Sequence, residues 1–156
     1  MGRFATGVTV VTLAAEGQLR GMTANAFSSV SLEPPLLLVC VDQNASIYPM
    51  FHSAEAFAVN ILASDQAHVS QLFATKGEKS EVMGGHAHSL APLGSPVLDG
   101  VIAWAECRIE HRYEGGDHLI VVGRIHDLEV AQPEGAPLLF FSGQYRALGD
   151  PILPQG

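Results

Sequence analysis

Residues 101 to 113, VIAWAECRIEHRY, alternate apolar and polar side chains more regularly than any other stretch of the chain. Val101, Ala103, Ala105, Cys107, Ile109 and Tyr113 fall on one side, and Glu106, Arg108, Glu110 and Arg112 on the other. That period of two predicts an antiparallel strand with one face on a core and one in water. Glu114-Gly115-Gly116-Asp117 follows as a turn, and Leu119 to Val130 returns as the partner strand, with Gly123 marking a bulge. A hairpin this long commits the chain to an antiparallel sheet, so the remaining segments must pair with it or cover it.

Those segments are mostly strand-like. Val8–Leu13 is β-branched, Glu16-Gly17 supplies a hairpin turn, Met22–Ser31 reads as one irregular strand, Leu36–Val41 is apolar on both faces, and Phe57–Leu62 follows. Asn44 or Ser46 is expected to cap a short helix through Met50, and Ser64 a helix with Val69, Leu72 and Phe73 on one stripe. Lys76–Pro96, rich in Gly, His, Ser and Pro, reads as a long loop, and Leu138–Phe141 as a last strand ending at Ser142-Gly143. No βαβ repeat is visible. The fold class is mainly β with short helices, a small closed or partly closed antiparallel barrel. Residues 1–150 read as one domain and 151–156 as a tail.

At 47% hydrophobic and 15% charged, the 156-residue chain is too apolar for disorder. Its charge is low for an isolated soluble domain, which predicts burial against a second subunit. A net charge of -8 argues against nucleic acid and against an anionic membrane surface. No apolar run approaches the roughly 18 residues of a membrane span. The N-terminus does not read as a signal peptide. Cys40 and Cys107, each in an apolar strand pattern, read as reduced structural thiols of a cytoplasmic protein.

The common catalytic patterns are missing. His86 and His88 lack partners at zinc-like spacing, so no metal is expected. There is no G-x-S-x-G elbow, P-loop or G-x-G-x-x-G. What remains is GMTANAFSSVS, residues 21–31, whose small hydroxyl and amide side chains let a flat ligand approach the backbone. The cap at Asn44–Ser46 adds a helix N-terminus, a ready anion site. Unaided, these residues point to a barrel that binds a planar, phosphate-bearing ligand, and to no particular reaction.

Six segments, in order, resemble the flavin reductase-like, FMN-binding split-barrel family, which includes the reductase components of two-component flavin monooxygenases. They are RFATGVTVVT (3–12), GMTANAFSSVSLEPPLLLVCVD (21–42), FAVNIL (57–62), LGSPVLDGVIAWAEC (94–107), GGDHLIVVGRI (115–125) and PLLFFSGQYRAL (137–148). The resemblance implies a homodimeric Greek-key split barrel, entered through an N-terminal helix already under way at Met1. It implies flavin, FMN or FAD, lined by Thr23, Ala24, Asn25 and Ala26, with Val41, Asp42, Asn44 and Ser46 at the ribityl and phosphate. Phe73 and Ala74 would meet the flavin at the end of the second helix, and Lys79 matches a basic position of the family's K-F-A-G element. That element departs here, reading Lys79-Ser80-Glu81-Val82. His118, Tyr145 and Arg146 would face the nicotinamide, with His118 and Tyr145 as catalytic residues. The implied activity is NAD(P)H:flavin oxidoreduction, with NADH or NADPH as co-substrate and a flavin-dependent monooxygenase as partner. The alternatives are a tight FMN-binding electron-transfer protein and, third, an oxidase or monooxygenase on the same barrel.

Overall fold

A computed structural model describes residues 1–75 and 83–153, which form twelve strands and one α-helix. They are β1 (Thr6–Gly7), β2 (Thr9–Ala15), β3 (Gln18–Ala24), β4 (Phe27–Leu32), β5 (Pro35–Asp42) and β6 (Ala56–Ile61). Helix α1 (Ala67–Ala74) precedes β7 (His88–Leu90), β8 (Pro96–Leu98), β9 (Ala103–Gly115), β10 (His118–Glu129), β11 (Leu139–Phe141) and β12 (Gln144–Arg146). Seven strands form one sheet in the order β3-β2-β6-β9-β10-β5-β4, antiparallel throughout.

Connectivity forces this sheet to curl. Strands β3 and β4 are its two opposite edges, yet only Asn25 and Ala26 join them. Laid flat, six gaps between strands would hold those edges about 29 Å apart. The three Cα steps from Ala24 to Phe27 span at most about 11 Å. The sheet therefore rolls until its edges nearly meet without pairing, which makes a barrel with a slit. The fold is the expected split barrel.

Inside the roll lies one core, built on Leu13, Val39, Val41, Phe51, Phe57 and Val121. A second core lies outside it, where α1 and residues 91–98 cover β2, β6 and β9 with Val10, Leu62, Val69, Phe73, Leu98 and Val101. Polar anchors on the sheet fasten that cover. Thr12 donates to Pro96 O at 2.5 Å, and Asn60 Oδ1 accepts Leu98 N–H at 2.9 Å. Glu106 takes Leu93 N–H and Ser95 N–H, one on each carboxylate oxygen, at 2.8 and 2.9 Å.

Glu106 corrects one expectation. It is fully buried, because the face of β9 that alternation assigns to water is covered by the 91–98 segment. A bulge corrects another. Val122 pairs with His111 and Gly123 with Ile109, so Glu110 is the extra residue and alternation inverts across it. Tyr113 is therefore exposed while Cys107 is buried, and Arg112 turns inward to donate to Phe51 O and Ala54 O. The bulge sits opposite Gly123, as expected. A side chain there would strike Cys107 and the Phe57 ring, which a Cβ would meet at 2.6 and 2.7 Å.

Local details also differ. Met22–Ser31 is two strands, broken at Asn25-Ala26. The short helix is a 3-10 turn over Tyr48–His52 whose N-cap is Ile47, so neither Asn44 nor Ser46 caps it. Helix α1 begins after Gln66, and Ser64 does not cap it. Residues 1–4 form a turn closed by Phe4 N–H on Met1 O, where a helix was expected. The 83–96 part of the expected loop contributes β7, which pairs with β8.

Candidate active site

The slit is where the small residues of 21–26 fall. Three cavities run along it. The first, about 380 Å³, is lined by Gly21, Thr23, Asp42, Asn44, Ser46 and Phe73, with Ala74 at one end. The second, about 200 Å³, shares Thr23 and Ala74 with the first and adds Ala24, Asn25, Ser70 and Tyr145. The third, about 310 Å³, shares Asn25 with the second and is walled by Phe4, Thr6 and Phe27. The shared residues set the three side by side along the slit, and their linings are mostly apolar. The first and third cavities each fall in the size range of small-molecule sites, roughly 300–1,000 Å³.

Local rules explain its floor and walls. Gly21 is needed because a Cβ there would lie 2.8 Å from the Phe73 ring. Phe73 is buried, so α1 presses close against β3. Thr23 Oγ1 donates to Ser70 O at 2.6 Å, which ties the strand to the helix. Asp42 Oδ1 accepts the Asn44 backbone N–H at 2.8 Å and the Asn44 amide at 3.1 Å, and so shapes the turn after β5.

The expected site residues divide into three groups. Thr23, Ala24, Asn25, Asp42, Asn44, Ser46, Phe73, Ala74 and Tyr145 all line the groove. His118 lines none of the three cavities and is placed next to the groove only as the register partner of Asp42 across β10 and β5. Its Nδ1 lies 2.7 Å from Asp117 Oδ1, which holds the ring's proton on that nitrogen and leaves Nε2 for another partner. Val41 and Ala26 do not present side chains to the groove. Val41 points into the barrel core, and Ala26 offers its carbonyl to Cys40 N–H. Arg146 is exposed and donates to Gln144 Oε1, off the groove. Lys79 lies outside the described residues.

The expected helix N-terminus is not an anion site, since the short helix starts at Tyr48 and has only five residues. The described lining of the first cavity holds no Lys or Arg. Its polar lining is the hydroxyls of Thr23, Ser46 and Thr75, the Asn44 amide and the Asp42 carboxylate.

Sequence reasoning missed Ser70. It is buried, its carbonyl accepts from Thr23, and its Oγ lies 2.9 Å from the Tyr145 hydroxyl. One serine thus links β3 and the C-terminal hairpin β11–β12 at the middle of the groove. Only its position on the helix stripe beside Val69 could have drawn notice. The thiols take no part. Burial raises Cys40, and it pushes Cys107 up to about 12, with the charge of Glu106 adding to the rise. The described residues contain no cluster of metal-ligating side chains.

Residues 1–149 match the flavin reductase like domain family. The chain belongs to that family. A flavin reductase of Pseudomonas putida is 38% identical over 146 residues, 93% of this chain and 84% of its own. The reductase component of 4-hydroxyphenylacetate 3-monooxygenase from Thermus thermophilus is 39% identical over 95% of this chain and 92% of its own. Among solved structures, an NADH:FAD oxidoreductase of Streptomyces globisporus, in complex with NAD and FAD fragments, superposes with a TM-score of 0.89. It is 36% identical, over 97% of this chain and 90% of that one.

Proposed function

We propose that this protein is an NAD(P)H:flavin oxidoreductase whose reduced flavin, FMN or FAD, serves a partner monooxygenase. The observation that carries this reading is the groove along the slit, in a chain of the flavin reductase-like family. Flavin, when bound, supplies the redox chemistry, accepting at N5 a hydride from nicotinamide C4. The groove suits such a group. Small side chains at Thr23, Ala24 and Ala74 admit a flat ring, and the adjoining cavities leave room for a second one.

The chain's own work is placement and exclusion. Phe73 and Gly21 hold the floor at fixed height. Thr23 and Ser70 fix the edge of β3 against α1. Tyr145, held by Ser70, closes one side of the second cavity. His118 offers Nε2 at the rim, where it orients the carboxamide of the nicotinamide. No general base is required of any residue. Asn44 and Ser46 supply the polar end of the first cavity for a ribityl chain and phosphate.

The active unit is a homodimer. The outer face of β4, β5, β10 and the tip of β9 supports this. Cross-strand partners share a face: Leu38 pairs with Val122, and Ile120 with both Cys40 and Tyr113, which makes an apolar patch flanked by His111 and by Arg124, the partner of Leu36. Leu38, Cys40 and Ile120 are only half-buried there and Tyr113 is exposed, while Ser28 and Ser31 border the patch on β4. Two free thiols suit a reducing, cytoplasmic compartment. No described helix is long and apolar enough to cross a membrane.

Steady-state oxidation of NADH and NADPH against FMN, FAD and riboflavin tests the activity. Flavin-dependent turnover with at least one nicotinamide is expected, and its absence with both would sink the reading. Purified protein that keeps stoichiometric FMN through dilution yet does not oxidise NADH or NADPH would favour an electron-transfer role instead.

A further inference from the structure

A fourth cavity, about 390 Å³, shares no lining residue with the three along the slit. Its floor is the outer face of the sheet at Ala14, Ala56 and Arg108, where that face emerges from beneath the 91–98 segment. Ser95 bounds one side, and Ser53 and Glu55 the other.

Two features mark it as built to hold something. Ser95 is 1% exposed, and its hydroxyl has no hydrogen-bond partner. A buried hydroxyl left unpaired carries a desolvation penalty that a ligand can relieve. Arg108 and Glu55 both line the cavity, and among the described residues neither makes an ion pair or a side-chain hydrogen bond. A guanidinium and a carboxylate share one hollow without closing on each other.

The surrounding groups narrow the chemistry. Glu106, two residues from Arg108 on β9, is already saturated by two backbone N–H groups. Arg124, the register partner of Arg108, is paired with Glu110. Glu16 accepts from Ser53 Oγ at 3.2 Å. A simple anion would meet Arg108 but also Glu16 and Glu55, on a chain of net charge -8. A simple cation would meet Arg108 as a like charge. We propose that this cavity binds a small zwitterion, its carboxylate on the Arg108 guanidinium and its ammonium on Glu55, with the buried Ser95 hydroxyl rotating toward the cavity to join the carboxylate's contacts. A free amino acid is the simplest molecule of that class. The fork of Arg108 suits a carboxylate taken through two N–H groups.

Calorimetry and thermal unfolding of the whole protein test this without reference to flavin turnover. The probes are L-alanine and 4-aminobutyrate, with acetate, inorganic phosphate and ethylammonium as singly ionic controls. At least one zwitterion should bind at millimolar concentration or below and raise the unfolding midpoint, and the controls should do neither. Arg108→Gln and Glu55→Gln should each weaken that binding about tenfold, the loss of one charge-assisted contact. Both should keep the wild-type circular dichroism and flavin reductase rate, since both side chains are exposed and outside the slit. No binding by either zwitterion, equal binding of acetate or phosphate, or unchanged affinity in both variants would overturn the proposal.

Discussion

The two outer flanks of the barrel are made of similar strands and have different fates. Over β2, β6 and β9 the chain covers its own sheet, and Thr12, Asn60 and Glu106 hold the cover by its backbone. Over β5 and β10 no such segment is laid, and Leu38, Val122, Cys40 and Ile120 form an apolar patch there. The covered flank carries buried polar groups because a backbone laid on it needs partners. The bare flank carries no such cover among the described residues, and in the proposed homodimer it would meet side chains of another copy. The slit runs along the edges of the rolled sheet, between β3 and β4, so each flank contributes to the groove. Helix α1 comes from the covered side, and β5 and His118 from the bare side.

The largest effect is expected at the covered flank. Glu106→Ala strands two buried N–H groups, and chemical denaturation should show a loss of about 3 kcal/mol. Glu106→Gln, which keeps one acceptor, should lose less. A loss under about 1 kcal/mol for the alanine variant would mean that the cover does not depend on this anchor.

The bare flank should respond through assembly rather than folding. Ile120→Asp places a charge on the apolar face, and sedimentation should show a monomer with unaltered circular dichroism. A dimer that survives this change would put the interface elsewhere.

Ser70 tests the join between flank and groove. Ser70→Ala removes the Tyr145 contact, and kcat/KM for the nicotinamide should fall about fivefold to tenfold with stability little changed. An unchanged rate would leave Ser70 with a structural role alone.

The effect at Cys107 is confined to alkaline solution. Its folded value lies above the ordinary 9.0, near 12, so the unfolded chain releases the proton first. Its contribution to stability is complete below pH 9 and is lost as pH rises toward 12. Unfolding measured across that window should show a shallower alkaline decline in Cys107→Ala than in the wild type. Equal slopes would mean that the thiol titrates normally in the fold.

Much of this was legible from local chemistry. The turns at Glu16-Gly17 and Gly115-Gly116 and the bulge at Gly123 are written in single residues, and each appears where expected. Alternation marked the strand at 103–115 but could not say what lies on its polar side, so Glu106 was assigned to water. One inserted residue, Glu110, then reversed the faces of the remainder. Helix caps were misjudged because Asn44 and Ser64 have cap chemistry while the chain starts its helices two or more residues later. In the site, the backbone-lining stretch 23–25 was readable because small polar residues on an edge strand have few other uses. Val41 and Arg146 were carried over by position, and their side chains point elsewhere. Ser70 was invisible because its role lies in which two distant segments it joins.

In the proposed function, flavin and nicotinamide meet in the groove at the slit. Anaerobic mixing of the protein and one equivalent of FMN or FAD with excess NADH or NADPH reads this directly through the loss of oxidised-flavin absorbance. The account predicts rapid bleaching with the wild type, and bleaching at least tenfold slower with His118→Ala at equal flavin occupancy. Flavin that binds but stays oxidised in the wild type with both nicotinamides would contradict it.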